Sequence, residues 1–304
     1  MSPTPPPAHS TARLARLAPL VVAAIWGLNL VVMKAAFVAG RHPFAFNAAR
    51  LFLSALVLAL LLRALPREHR VGPLPWGRIF AIGVCGSLVN QCVSVAGVAL
   101  TTAGNAALLG ATSPVWTALL AALFGIERVR GRTWGAIAIT VAGSAVIVLA
   151  SHGVDLRSTY LLGNALVLTA AFLWALTTTL STPLVGTILP TRLALWSTVL
   201  MLPFHSVLLV IFAPEDWNLG TAQWGRIAYA GILSTGVAYV LWNRTIKDVG
   251  PSLAAVYANL VPVFALGASS FLLDEAITPT QLAGGALIVI GVLLARRRRG
   301  PGVR

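Results

Sequence analysis

Trp76-Gly77-Arg78-Ile79 recurs as Trp224-Gly225-Arg226-Ile227, 148 residues further along the chain. The same ungapped shift carries Trp26 onto Trp174, Gly83 onto Gly231, Ala106-Ala107 onto Ala254-Ala255 and Pro114-Val115 onto Pro262-Val263. It also carries Glu127 onto Glu275 and Gly143 onto Gly291. An apolar chain gives chance coincidences of Ala and Leu. A single offset that pairs Trp, Pro, Glu and a tetrapeptide is much harder to produce that way, so one motif is used twice.

Composition says what solvent the motif is written for. Of 304 residues, 58% are hydrophobic and 10% charged, against roughly 25% charged in an ordinary soluble domain. Mean hydropathy is +0.86. A soluble globule of this size cannot hide so much apolar surface. The net charge of +14 taken alone would suggest a nucleic-acid partner, but a membrane protein with its cations on one side satisfies both facts and needs no nucleic acid. A helix crosses roughly 30 Å of hydrocarbon in about 20 residues. Runs of that kind fall at about 16–38, 44–64, 76–98, 102–125, 132–150, 159–182, 190–213, 222–243, 250–272 and 279–295. The period-2 alternation of barrel strands is absent. The reading is an all-α integral membrane protein of ten transmembrane helices. Residues 1–15 form a polar tail, 16–150 a first five-helix repeat, 159–297 a second, and 298–304 a basic tail. Arg13 and Arg16 precede a first run too long for a cleaved signal peptide, which reads as a signal anchor.

Five spans per repeat is an odd number, so the second half enters the membrane from the opposite face and the repeats are inverted. Placing the N-terminus in the cytoplasm puts seventeen of the 22 cations on the cytoplasmic side and four, Lys34, Arg41, Arg157 and Arg226, at the other. By the positive-inside rule both termini are cytoplasmic, and the basic face meets anionic lipid head groups. Inverted repeats generate inward-open and outward-open states by exchanging the conformations of their halves. This predicts alternating-access transport of a small molecule.

Ala24-Ile25-Trp26-Gly27-Leu28-Asn29, Arg50, Ser113-Pro114-Val115 with Glu127, and Val261-Pro262-Val263 with Asp274-Glu275 resemble the drug/metabolite transporter superfamily, in its ten-helix EamA-type branch. The Gly-rich stretches from Gly135 to Leu149 and Gly284 to Leu294 fit as well. The resemblance covers about residues 16–297 and implies export or exchange of a small metabolite, often an amino acid, across the inner membrane.

Pro114 and Pro262 lie mid-span, where each removes a helical donor and bends its helix; as a repeated pair they read as hinges, or as static kinks. Ser87, Asn90, Gln91 and Ser94 follow helical spacing and share one face. Trp26 and Asn29 lie a turn apart, as do Trp174 and the stripe Thr177, Thr178 and Ser181. Polar groups at membrane depth face inward. They predict a central amphipathic cavity with aromatic walls from Trp26, Trp174, Tyr239, Trp242 and Tyr257, and amides from Asn29, Asn90, Gln91 and Asn259. Interhelical hydrogen bonding is the blander reading. Arg50 lies about 9 Å down its helix; it either pairs with helix-end carbonyls or attracts a substrate carboxylate. Lys34 reads as interfacial.

All eight acids, Glu68, Glu127, Asp155, Glu215, Asp216, Asp248, Asp274 and Glu275, fall in loops or at span ends. No carboxylate is available as an intramembrane proton relay, and a lone His205 reads as hydrogen-bonded structure. Exchange or efflux down a gradient is favoured over carboxylate-coupled antiport. Glu127 and Glu275 read as caps of the following helices, or as gate residues. Cys85 and Cys92, about 10 Å apart along one helix, cannot pair with each other. The stripe Ala103, Ala107, Gly110, Pro114, Ala118, Ala121 reads as a close-packing face. No metal-ligand cluster, cofactor motif or nucleophile–base pair is present, so the sequence is not that of an enzyme. Rival readings are a lipid-handling or scrambling protein, or a membrane partner subunit without transport. The oligomeric state is left open, and a monomer is compatible.

Overall fold

The computed structural model describes residues 8–38, 42–67, 71–101, 103–151, 158–212, 220–273 and 277–296. Arg41, Glu68, Arg70, Asp155, Arg157, Glu215, Asp216, Asp274, Glu275, Arg297, Arg298, Arg299 and Arg304 lie outside them. The described chain is all helix, with no strand. Its rods are α1 (Ala8–Val38), α2 (Pro43–Arg63) and α3 (Trp76–Ala99); α4, in two pieces (Ala103–Gly110 and Ser113–Leu123); α5 (Gly131–Ser151) and α6 (Leu161–Val185). Then come α7, in two pieces (Pro190–Val199 and Leu202–Ile211); α8 (Gly220–Ala228 through Ala238–Val249); α9, in two pieces (Pro251–Ala258 and Val261–Leu273); and α10 (Pro279–Arg296). Seven helices are long and apolar enough to cross a membrane, or eight if the pieces of α7, bent by 44°, are one span. The polar-ended α8 and the shorter α10 do not reach that mark. The first helix begins at Ala8, within the expected polar tail, where Ala, Leu and Arg are good helix formers.

Burial is arranged for lipid. Phe271, Val210 and Leu123 are 85%, 79% and 77% exposed, while Asn47, Ser54, Thr179 and Ser197 are fully buried. Apolar side chains outside and polar ones between helices suit a hydrocarbon solvent. Arg192, at the start of α7, donates to the Val71 and Gly72 carbonyls at 3.0 and 2.9 Å and so fastens the α2–α3 connection.

The prolines break their helices outright. Pro114 and Pro262 stand in the first turn of the second pieces of α4 and α9. The pieces start at 103 and 113 in α4 and at 251 and 261 in α9, coincident under the 148-residue offset. The bend in α7 follows from Pro203 in the first turn of its second piece; its counterpart in α2 is Ala55, and α2 is unbroken. At the α8–α9 junction Gly250, at φ 87°, reverses the chain directly into Pro251. Two features carry no simple sequence signature: Gly83–Asn90 in α3 and Tyr229–Val237 in α8 are π-helical. They too coincide within two residues under the offset.

Contacts repeat as well. A Cβ on Gly143 of α5 would meet Gly284 and Ile288 of α10, and one on Gly291 would meet Ala136 and Thr140; the 148-residue offset converts the first set into the second. Residue numbers rise along α5 as they fall along α10, so the two run antiparallel. Likewise Gly231 of α8 abuts Arg50 and Leu53 of α2, while Gly83 of α3 abuts Ser197 and Met201 of α7, at or beside the shifted positions. The expected small-residue face of α4 is only partly a packing face: Ala118 and Ala121 are fully buried, but open space surrounds Gly110.

Candidate functional site

Three indoles meet where the halves adjoin. Trp26 of α1 lies 5.2 Å from Trp174 of α6, edge to face at 83°. Trp242 of α8 lies 5.2 Å from Trp26 and 5.4 Å from Trp174, and Tyr239 lies 6.1 Å from Trp174. Trp26 and Trp174 are counterparts under the 148-residue offset, so each meets its own equivalent. Edge-to-face pairs are worth about 0.5–1.5 kcal/mol beyond burial. The Trp26 Nε1–H donates to the Ser234 carbonyl at 3.0 Å, and that of Trp242 to Thr178 Oγ1 at 3.3 Å. Ser234 lies in a π segment, whose altered bonding makes main-chain carbonyls available to side chains. The π segment of α3 does the same: the Ser87 carbonyl lies 2.7 Å from His205 Nε2.

A polar cluster surrounds Arg50, 5% exposed on α2. Its Nε and one Nη donate to Asn47 Oδ1 at 3.0 and 2.8 Å. The same Nη donates to Gln91 Oε1 of α3 at 2.6 Å. The other Nη lies 3.6 Å from Met33 Sδ of α1, which also accepts from Asn29 Nδ2 at 3.1 Å. The guanidinium is thus held by side-chain amides and a thioether, and no carboxylate pairs with it among the described residues. Asn29 Oδ1 and Asn47 Nδ2 are buried without partners. Buried polar atoms are normally satisfied, so these two are exceptions within the cluster.

The other expected residues divide. Asn90 donates to the Ala170 carbonyl at 2.7 Å and ties α3 to α6, whereas Gln91, the next residue, meets Arg50 of α2. Thr177 and Ser181 return their hydroxyls to their own helix, at the Leu173 and Thr177 carbonyls. Tyr257 packs with Ala118, Ile137 and Ile288, and Asn259 donates to Thr140 Oγ1 of α5 at 3.0 Å. Asn47 and Met33 were not singled out from the sequence, although Asn47 stands three residues before Arg50, where helical neighbours meet. Glu127 Oε2 accepts from the Ser252 N–H at 3.3 Å. It therefore caps α9 in the other half, not the following helix. A peripheral cavity of about 370 Å³ at Val146, Leu149, Ala150, Thr278 and Thr280 touches none of these groups.

Apolar-faced helices of membrane length around a buried polar and aromatic interior define a multi-pass membrane protein. The model of the EamA-like transporter family matches residues 14–149 and again 161–297. The chain belongs to that family, within the drug/metabolite transporter superfamily, and is a membrane transporter, not an enzyme. It is 31% identical to a probable terminal-alkyne amino-acid exporter of Streptantibioticus cattleyicolor, over 90% of this chain and 94% of that protein. It is 27% identical to a probable amino-acid metabolite efflux pump of Escherichia coli, over 90% of this chain and 92% of that one. A solved crystal structure shares the fold with TM-score 0.76 at 20% identity, over 93% of this chain and 96% of that chain.

Proposed function

We propose that the protein exports or exchanges a small amphipathic metabolite, an amino acid or related compound, across the inner membrane by alternating access. The observation that carries this reading is Arg50: a buried guanidinium without a carboxylate partner among the described residues, beside two unsatisfied amide atoms. A substrate carboxylate supplies the missing anion through charge-assisted hydrogen bonds, and the indoles of Trp26, Trp174 and Trp242 receive its apolar part once the halves separate. The packed indoles are the closed arrangement. In this reading ten spans form two inverted five-helix repeats with both termini cytoplasmic. The coincident helix breaks, π segments and glycine contacts support it. The basic face then lies against anionic lipid, and Pro114 and Pro262 are the hinges. The names of the relatives favour an amino-acid substrate, and the enclosed position of Arg50 disfavours a lipid-scrambling groove.

The test is counterflow in proteoliposomes with the twenty proteinogenic L-amino acids. Uptake of at least one is expected. Arg50→Gln should reduce it by about ten- to a hundredfold, the loss of one or two charge-assisted hydrogen bonds, and Arg50→Lys by less. Unchanged counterflow in Arg50→Gln removes the carboxylate role; no counterflow with any of the twenty removes the amino-acid reading.

A further inference from the structure

α2 and the second piece of α7 pack against each other, and α2 and α7 are counterparts in the repeat. Their ionisable residues break that correspondence. The 148-residue offset carries Arg50 onto Thr198 and Val57 onto His205. Neither Arg50 nor His205 is therefore required by the shared scaffold, yet both are buried, His205 at 1% exposure.

The His205 ring is held by one edge. The Ser87 carbonyl, 2.7 Å from Nε2, can only accept, so Nε2 carries the hydrogen. Nδ1 is buried without a partner. In the neutral ring it presents a lone pair; in the charged ring it presents an N–H that needs an acceptor. The groups around the ring are few. The packed face of α2 carries Arg50, with His42 at its start, stacked on Phe212 at the end of α7. From α3 comes the Ser87 carbonyl; the other titratable groups of that helix are the thiols of Cys85 and Cys92. From α8 comes Tyr239, whose hydroxyl meets Ser87 and Ser197. No carboxylate acts on the ring among the described residues.

We propose that His205 is a proton-coupling site: a carboxylate lodged at Arg50 binds together with a proton on His205 Nδ1, and the two cross the membrane in the same direction. This rests on the carboxylate reading of Arg50 above. Ser87, which holds the ring, and Gln91, which holds the guanidinium, stand about one turn apart on α3, so in the empty site a proton on the ring would add a second buried cation to the same polar layer. A carboxylate cancels the Arg50 charge and accepts the Nδ1–H, so each ligand strengthens the other's binding, and by linkage the effect is reciprocal. The coupling needs no intramembrane Asp or Glu.

The experiment uses the purified full-length chain in weakly buffered detergent near pH 6, with an indicator dye, and each of the twenty proteinogenic amino acids added in turn. Binding is followed separately by thermal shift. Proton uptake on binding is expected, and amino-acid affinity should fall by about tenfold between roughly pH 6 and pH 8. His205→Gln keeps a donor at the Nε2 position for the Ser87 carbonyl but cannot titrate. It should still bind, with no proton uptake and a flat pH dependence. His205→Asn serves as a second non-titrating variant. Binding without proton uptake in the wild type, proton release, or unchanged uptake in His205→Gln overturns the coupling. Absence of binding by all twenty overturns the carboxylate reading and the coupling with it, and the thermal shift distinguishes that failure from the others. Should neither variant fold, the wild-type proton balance and its pH dependence decide alone.

Discussion

Four contacts fix the Arg50 guanidinium, and they come from three helices: Asn47 of α2, Gln91 of α3 and Met33 of α1. Gln91→Leu leaves one buried N–H of a charged group short of an acceptor. It should cost about 1–3 kcal/mol of stability, read as a lowered melting temperature in detergent, and should also weaken substrate binding. Asn90→Ala removes only the bond to the Ala170 carbonyl; about 1 kcal/mol of stability should go with it. These neighbours show how far the sequence could be read. The presence of a membrane-embedded Arg was legible, because a lone cation in an apolar run needs no structure to be seen. Its partners were not, since spacing along one helix does not say which neighbouring helix each of two successive residues, Asn90 and Gln91, will meet. Residue type alone puts Asn259 among the amides at membrane depth, and its bond to Thr140 Oγ1 is set by tertiary packing that spacing does not reveal.

At the scale of elements, prolines were the legible features and the π segments were not. Pro114 and Pro262 each remove a donor at a known place, and breaks in α4 and α9 follow. A π turn depends on an inserted residue accommodated by neighbouring helices, and no residue type encodes it. Pro114→Ala and Pro262→Ala restore a donor at each break. Each should slow counterflow several-fold while leaving the melting temperature within a few degrees, and wild-type rates in both variants would sink the hinge role. Glu127 links the end of α4 to the start of α9 through the Ser252 N–H, and Glu127→Ala should cost about 1 kcal/mol, as loss of a helix cap does. The α5–α10 pair allows a sharper comparison. A methyl at Gly143 would lie 2.7 Å from the Gly284 carbonyl oxygen, whereas one at Gly135, on the same helix, would meet nothing. Gly143→Ala should destabilise by about 1–3 kcal/mol. Gly135→Ala should be neutral or stabilise by about 0.5–1 kcal/mol, because Ala is the better helix former. Melting curves of the two variants under one condition give the answer.

For the whole molecule, the question is whether the repeat is inverted in the membrane, as an odd number of spans per half requires. Antiparallel packing of α5 and α10, counterparts in the repeat, is the arrangement expected of two halves related by an axis in the membrane plane. Parallel halves would set these helices side by side in the same direction. Gly77 and Gly225 offer a direct test. They occupy the same place in the repeated tetrapeptide, both are exposed, and a side chain at either meets nothing within 4 Å. The native thiols, Cys85 and Cys92, are within α3 and can be replaced by Ala to remove background. Gly77→Cys, beside Arg78 on the cation-rich side, should then react with a membrane-impermeant maleimide only in inside-out vesicles. Gly225→Cys should react only in intact spheroplasts. Reaction of both from one side would overturn the inversion and with it the exchange of conformations between halves. Reaction of each from the face opposite to that expected would keep the inversion and reverse the orientation, so that the cations would lie outside. Those two results separate what the repeat requires from what the charge distribution implies.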